Sequence, residues 1–353
     1  MRARFHALAR TGRLDGEPET ITTVVGTKPV RPALAGSRHV WFEDVNIRGA
    51  DGAWDYLCAF ELDEAMRAHL SALRPAVCGL SLDRPRIMGI VNVTPDSFSD
   101  GGDRLGVADA LAAAQAMAAE GADLLDIGGE STRPGAETVA EHEEIARVVP
   151  VIEAIRDAGI ATPISIDTRK AVVAEAALAA GADMVNDVSA MTYDPEIAAV
   201  VAQHAVPVCL MHAQGDPATM QDAPRYDDVR FEVFDRLEAR IAAAVAAGIP
   251  KQRILADPGI GFGKTLKHNL TLLRILSLYH NLGVPLLVGA SRKRFIGTIG
   301  GADSAKDRMP GSLAVALHAA AQGAQILRVH DVKETRQALD LHLALNGDEW
   351  DDT

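Results

Sequence analysis

Eight polar positions or clusters carry the chemistry this sequence can do. Each follows a short apolar run: Asn92; Asp126; Asp167; Asn186 with Asp187; His212; Asp257; the triplet Ser291-Arg292-Lys293; and Arg328 with His330. Asp167, Asn186 and Asp257 supply carboxylates and an amide, which need partners if they are buried. A flat heterocycle with adjacent N–H donors meets that need, because a carboxylate accepts two parallel N–H bonds in good geometry. The 2-amino-4-oxo edge of a pterin qualifies, and so does the edge of guanine. Lys293 fits two roles, binding an acceptor on the same ring or neutralising a carboxylate, and the sequence leaves both open. Arg328 and His330 supply donors for an anion, and Arg133, beside Ser131 and Thr132, adds another. A lone Arg133 reads as a surface residue, and a lone Asp at a strand end reads as a helix cap, a role open to Asp167 and Asp187. Lys293, Arg328 and His330 are poor caps, so capping does not explain the whole set.

The elements that must position these groups repeat regularly. Apolar runs at 87–92, 124–128, 164–167, 184–187, 206–212, 254–257, 286–291 and 326–330 alternate with helical stretches. Those stretches are 107–120, 141–158, 170–180, 195–204, 229–247, 268–280, 312–322 and 333–345. Gly121, Gly159, Gly181, Gly248, Gly323 and Gly347 follow helices where a left-handed cap is needed. Eight such units predict an α/β fold, a (β/α)8 TIM barrel over residues 86–346 with a tail at 347–353. An open doubly wound sheet is the alternative. In a barrel the polar strand ends converge on one mouth, and a barrel's last strands are where phosphate commonly binds, which suits Arg328 and His330.

Residues 1–85 form an N-terminal α+β extension in this reading. Strands are expected at 21–25 and 39–47, a helix at 62–73 and a hairpin at 79–83 that closes the bottom of the barrel. Trp41 and Trp54 supply a small core, and no chemistry stands out. The extension therefore reads as a structural or oligomer-contact element. Arg2, Arg4, Arg10 and Arg13 open the chain without an apolar segment, which argues against a secretory signal. Asp15, Glu17 and Glu19 argue against a transit peptide. The 353-residue chain has a net charge of −13, which argues against a nucleic-acid partner. No apolar run reaches membrane-span length. Cys58, Cys78 and Cys209 make no CxxC or zinc pattern and read as reduced thiols of a cytoplasmic protein.

One motif needs separating from a better-known one. Asp257-Pro258-Gly259-Ile260-Gly261-Phe262-Gly263-Lys264-Thr265 ends like a phosphate-binding GxxxxGK[ST] loop, but Pro258 stands where the first glycine belongs. It reads as a glycine-rich loop that brings backbone and Phe262 close to a ligand. The sequence has no HExxH and no His/Cys set at zinc spacing, which argues against a protein-ligated transition metal.

The stretch Asn92-Val93-Thr94-Pro95-Asp96-Ser97-Phe98-Ser99-Asp100-Gly101-Gly102 resembles the first signature of the dihydropteroate synthases. Asp126-Ile127-Gly128-Gly129-Glu130-Ser131-Thr132-Arg133-Pro134-Gly135-Ala136 resembles their second. Ser165-Ile166-Asp167-Thr168, Val185-Asn186-Asp187, Cys209-Leu210-Met211-His212 and Asp257 to Lys264 match in order. So do Val288-Gly289-Ala290-Ser291-Arg292-Lys293 and Arg328-Val329-His330-Asp331-Val332. The match runs from about residue 86 to 345; the extension before it is the departure.

The resemblance implies that 6-hydroxymethyl-7,8-dihydropterin diphosphate and p-aminobenzoate condense to 7,8-dihydropteroate and diphosphate by an SN1-like displacement. It implies that Asp167, Asn186, Asp257 and Lys293 hold the pterin, with Met211, Phe262 and Gly289 around it. Asn92, Arg133, Arg328 and His330 would bind the diphosphate, with Mg2+ on Asn92. Phe98, Ser131, Thr132, Arg133, Pro134 and Ser291 would meet p-aminobenzoate, Ser291 at its carboxylate. Asp100 and Arg133 join Asp167, Lys293, Arg328 and His330 as catalytic candidates. A cytoplasmic homodimer and sulfonamides as mimics of p-aminobenzoate are implied in the same way. The alternatives are a pterin barrel that moves a methyl group from methyltetrahydrofolate, which has no use for the diphosphate donors, and a non-catalytic pterin-binding paralogue.

Overall fold

This computed structural model describes residues 4–11, 31–48, 54–93, 103–131, 138–215 and 219–346. The chain opens with three antiparallel strands, β1 (Arg4–Thr11), β2 (Val40–Arg48) and β3 (Trp54–Cys58), in the order β1-β2-β3. Helix α1 (Glu64–Ser71) follows, its N-terminus capped by Asp63, which accepts the Met66 N–H at 2.7 Å. Ala7, Leu34, Val40, Phe42, Val45, Ala59, Leu62 and Leu70 form their common core. The expected strand at 39–47 is β2 and the expected helix at 62–73 is α1; the strand expected at 21–25 lies outside the described residues. The sequence reading missed β1, whose packed positions Ala7 and Ala9 are too small to give a clear alternating pattern.

The extension seats on the flank of the barrel. Ser277 Oγ donates to the Ala7 carbonyl at 2.8 Å, Arg74 Nη2 to the His280 carbonyl at 2.9 Å, and His69 Nε2 lies 2.9 Å from the Asn281 carbonyl. The hairpin sits slightly earlier than its expected 79–83. Val77 and Leu80 pair, with Cys78 and Gly79 both at positive φ, the combination a two-residue type I′ turn requires.

The remaining strands are parallel: β4 (Arg86–Asn92), β5 (Leu124–Gly128), β6 (Ile164–Asp167), β7 (Met184–Asp187), β8 (Val208–Met211), β9 (Ile254–Asp257), β10 (Leu287–Val288) and β11 (Ile326–Val329). They run in the order β10-β11-β4-β5-β6-β7-β8-β9, and a parallel bridge from Ala256 to Leu286 joins the two ends. That closure makes the sheet a (β/α)8 barrel and rules out the open doubly wound alternative. The outer ring comprises α2 (Asp103–Ala119), α3 (Glu141–Asp157), α4 (Ala171–Ala179), α5 (Ile197–His204), α6 (Val229–Ala246), α7 (Leu266–Arg274), α8 (Arg294–Gly300), α9 (Met309–Ala321) and α10 (Val332–Leu345). Two differences from the sequence reading stand out. The helix expected at 268–280 breaks at Ile275 into α7 and a 3-10 segment, Leu276–Leu282, on which the extension sits. Helix α8 went unread because Gly297 and Gly300 weaken its signal.

Strand periodicity sorts side chains between two environments. Leu125 and Ile127, Ile164 and Ile166, Val208 and Leu210, Ile254 and Ala256, and Leu327 and Val329 face the helices. The alternate residues face the barrel axis. Near the N-terminal ends these are Met88, Leu124, Met184, Cys209, Leu255, Leu287 and Ile326, packed with Val77 and Leu82 from the hairpin region. The barrel is thus plugged at its base and opens toward its C-terminal mouth. Gly121, Gly159, Gly181, Gly248 and Gly323 have positive φ, as expected of helix ends; Gly347 lies outside the described residues. All three cysteines are free, and no helix among the described residues is long and apolar enough to cross a membrane.

Leu82 is 2% exposed and packs in this apolar base. Leu82→Ala should lower unfolding free energy by about 3 kcal/mol, the cost of a buried leucine plus its cavity. Urea unfolding measures it; an unchanged midpoint would mean the base does not depend on the plug.

Candidate active site

The axis-facing positions one step closer to the mouth are polar. Two residues beyond Leu124 on β5 stands Asp126; beyond Met184 on β7, Asn186; beyond Leu255 on β9, Asp257; beyond Ile326 on β11, Arg328. Asp167 ends β6 beside them. Arg328 binds two carboxylates at once: Nε donates to Asp126 Oδ2 at 2.5 Å and Nη2 to Asp167 Oδ2 at 2.6 Å. Asn186 Nδ2 donates to the same Asp126 Oδ2 at 3.3 Å. The second oxygens, Oδ1 of Asp126 and of Asp167, are buried without a hydrogen-bond partner among the described residues. Asp257 uses Oδ1 to accept the Gly259 N–H at 2.7 Å, while its Oδ2 lies 3.9 Å from where a Cβ on Gly289 would stand.

This layer has unusual acid–base properties. Burial raises the Asp167 carboxyl to about 7; Arg328 opposes the rise, and Asp126, Glu144 and Asp187 add to it. Burial also raises Asp257, opposed chiefly by Lys293. The Lys293 ammonium is lowered to about 7 by burial, with Asp257 opposing. Arg328 stays charged because its carboxylate neighbours outweigh its own desolvation. Groups shifted toward neutrality inside a mouth are characteristic of a working site.

Other expected site residues fall around this layer. Asn92 ends β4, paired in register with Gly128 of β5, and Met211 ends β8, paired with Asp257. Lys293 Nζ donates to the Ile260 carbonyl and lies 4.4 Å from the centre of the Phe262 ring. Gly289 leaves open the space between Arg328 and Asp257. Ser291 Oγ lies 3.0 Å from His330 Nδ1 and accepts the His330 N–H at 3.3 Å, tying the ends of β10 and β11 together. Ser131 lies just past β5, half-buried. Phe98, Asp100, Thr132, Arg133 and Pro134 lie outside the described residues.

The two aspartates that could have been caps separate. Asp187 accepts from Ser189 N–H and Oγ and from Met191 N–H, so it shapes its own loop; Asp167 faces Arg328. Arg292, at positive φ, is turned away to pair with Asp331.

Three features were not assigned from sequence. Asp126 was noted as a polar strand residue, yet its place as the hub for Arg328 and Asn186 needed the barrel. Lys264, 3% exposed, has its ammonium on His212 and Phe262. A buried ionic cluster also stands behind Asp167. In it Lys170 Nζ reaches Glu130 and Glu144, each at 2.5 Å, Arg169 pairs with Glu130 at 2.8 Å, and Thr168 Oγ1 donates to Glu144. From sequence, Lys264 reads only as part of a glycine-rich loop, and Lys170 and Glu144 only as members of the helices at 170–180 and 141–158.

The Asp167 shift has a consequence for stability. Between about pH 4 and pH 7 the native carboxyl holds a proton that the unfolded chain, with its ordinary value of 3.8, has released. Native stability therefore falls as pH rises through that window. Asp167→Asn removes this penalty, so its stability relative to the parent should be higher at pH 8 than at pH 4.5. Urea midpoints at the two pH values test it; the same difference at both would show that Asp167 titrates normally.

The model of the family described as pterin binding enzyme matches residues 88–330. Dihydropteroate synthase of Neisseria meningitidis serogroup B is 52% identical over 271 residues, covering 75% of this chain and 94% of that protein. The Xanthomonas albilineans dihydropteroate synthase solved with 4-aminobenzoic acid superposes with a TM-score of 0.73 at 52% identity, covering 78% of this chain and 99% of that one. The same organism's synthase in complex with 7,8-dihydropteroate gives 0.69 at 50% identity, covering 76% and 97%. With the polar layer set in a closed (β/α)8 barrel, the chain belongs to the pterin-binding enzymes, as a member of their dihydropteroate synthase family.

Proposed function

We infer that the protein joins 6-hydroxymethyl-7,8-dihydropterin diphosphate to p-aminobenzoate, giving 7,8-dihydropteroate and diphosphate. The observation that carries this reading is the buried layer at the mouth: Asp126, Asp167, Asn186 and Asp257 with Arg328 and Lys293, two of its carboxylate oxygens without a partner among the described residues. Adjacent N–H donors on a pterin edge are suited to those oxygens. Lys293, lying against Phe262, would meet an acceptor on the same ring. Relatives about 50% identical over most of this chain are synthases, which supports this reading over methyl transfer or a non-catalytic paralogue.

In the reaction the bond between the pterin methylene carbon and the diphosphate oxygen breaks, and its electron pair leaves with diphosphate. The amine lone pair of p-aminobenzoate forms the new C–N bond, and the nitrogen then gives up a proton. In the SN1-like order, bond breaking comes first and leaves positive charge on the pterin. Three buried carboxylates facing two cations, Arg328 and Lys293, favour that charge as it develops. Arg328 spends Nε and Nη2 on carboxylates, so Nη1 is the part suited to the departing anion.

Mg2+ fits the donors available. Among the described residues no three His, Cys, Asp or Glu side chains group to form a metal cage. Mg2+ keeps most of its waters and takes few protein oxygens, so the Asn92 amide at the rim suffices beside a diphosphate. Bound there, Mg2+ would neutralise charge on the leaving diphosphate. The same reading extends to a homodimer, a cytoplasmic setting and inhibition by sulfonamides, which the family resemblance suggests. Residues 1–85 read as a structural addition to the catalytic barrel at 86–346.

The test is diphosphate release by the purified protein with Mg2+ and the pterin diphosphate, with and without p-aminobenzoate. Release coupled one-to-one with dihydropteroate is expected. Tight pterin binding without turnover would favour the paralogue.

A further inference from the structure

We infer that Lys264 is a positioning residue for the ring-binding half of the site, its ammonium locking the loop between β9 and α7 to the end of β8 and so setting where Phe262 and Lys293 meet the substrate. The inference rests on the functional reading above.

Lys264 Nζ has three acceptors: His212 Nδ1 at 2.9 Å, the His212 carbonyl at 3.3 Å and the Phe262 carbonyl at 2.9 Å. Lys264 Nζ is thereby surrounded by three polar atoms of the protein, and burial lowers its ammonium well below the ordinary lysine range, with Asp257 opposing. This is the lysine that gave the loop its likeness to a phosphate-binding motif, and its ammonium is already committed to holding two loops together. His212 Nδ1 and Lys264 Nζ share one hydrogen bond, and burial, with the Lys264 charge, lowers the His212 ring to about 2 and keeps it neutral.

The loops meet backbone to backbone. A Cβ on Gly259 would collide with the His212 carbonyl, and one on Gly263 with the Gln214 carbonyl. Tyr226 Oη donates to the Gly263 carbonyl at 2.9 Å, Gln221 Nε2 to the Gly261 carbonyl at 2.5 Å, and Asn269 Oδ1 accepts the Gly261 N–H at 2.7 Å. The inner surface of this braced loop holds Lys293. Its ammonium donates to the Ile260 carbonyl, and its stem lies 2.9 Å from where a Gly261 Cβ would stand. Phe262, whose carbonyl Lys264 grips, presents its ring to the Lys293 ammonium.

A buried cation is a poor way to gain stability, because its desolvation offsets most of what its partners return. An apolar side chain would fill the same space at less cost. The ammonium instead fixes the distance between two loops by its three bonds. Angstrom-scale misplacement of binding groups is enough to cost up to about a hundredfold in rate.

The test compares the parent, Lys264→Met, His212→Leu and Lys293→Met. It measures KM for the pterin diphosphate, KM for p-aminobenzoate, and Kd for 6-hydroxymethylpterin by fluorescence. Lys264→Met should raise both pterin constants about tenfold or more while the p-aminobenzoate KM stays within about twofold. His212→Leu removes one of the three acceptors and should shift the same constants in the same direction, less strongly, which keeps the inference testable should Lys264→Met fail to fold. Unchanged pterin constants in the folded variants, or equal shifts for both substrates, overturn the lock. If the parent does not bind the pterin, or Lys293→Met matches the parent, the functional reading itself fails and the inference falls with it.

Discussion

The site depends on one shared guanidinium. Arg328 stands inside the barrel between Asp126 and Asp167, two buried carboxylates whose partner it is. It links β11 to β5 and β6 and, through Asp126, reaches Asn186 on β7. Four strands are thereby coupled at the level where a ligand would sit. The compensation is incomplete: each aspartate keeps one buried oxygen without a partner among the described residues, and Asp167 is pushed toward neutrality. A ligand that brings N–H donors and develops positive charge completes what the protein leaves unfinished.

The scaffold beneath this layer is apolar and closed, which lets the polar groups hold their geometry. Above it, the loops are held by charged groups that are themselves buried. Lys264 joins two loops on one side. On the other, Lys170 and Arg169 converge on Glu130 and also reach the Val139 carbonyl and Thr138 Oγ1, so they fix the residues on either side of 132–137. Buried ion pairs are weak sources of stability. Two such devices flanking one mouth are better explained by the geometry they impose.

Much of this was legible in the sequence. The alternation of apolar runs with alanine-rich helices gave the barrel, and the polar residue ending each run gave the mouth, because a period of two and a period of 3.6 leave distinct patterns. Asp167, Asn186, Asp257, Lys293 and Arg328 do share one layer. What escaped notice depends on inter-strand register. Asp126 lies mid-strand, and only the inward phase shared with Leu124 shows that it faces Arg328. Lys264 looked like a loop cation because sequence does not reveal that three acceptors converge on it. In the extension, β1 was hidden by its alanines; in the barrel, the segment after the break at Ile275 meets residues some 270 positions away, such as Ala7, a contact no local pattern encodes.

Asp126 holds Arg328 in place for the ligand. The most direct measurement is calorimetric titration of Asp126→Asn with 6-hydroxymethylpterin and, separately, with inorganic diphosphate and Mg2+. Both should bind more weakly than to the parent, since releasing Arg328 disturbs the ring edge and the anion site together. Parent-like affinity for both ligands, in a variant that remains folded, would contradict it.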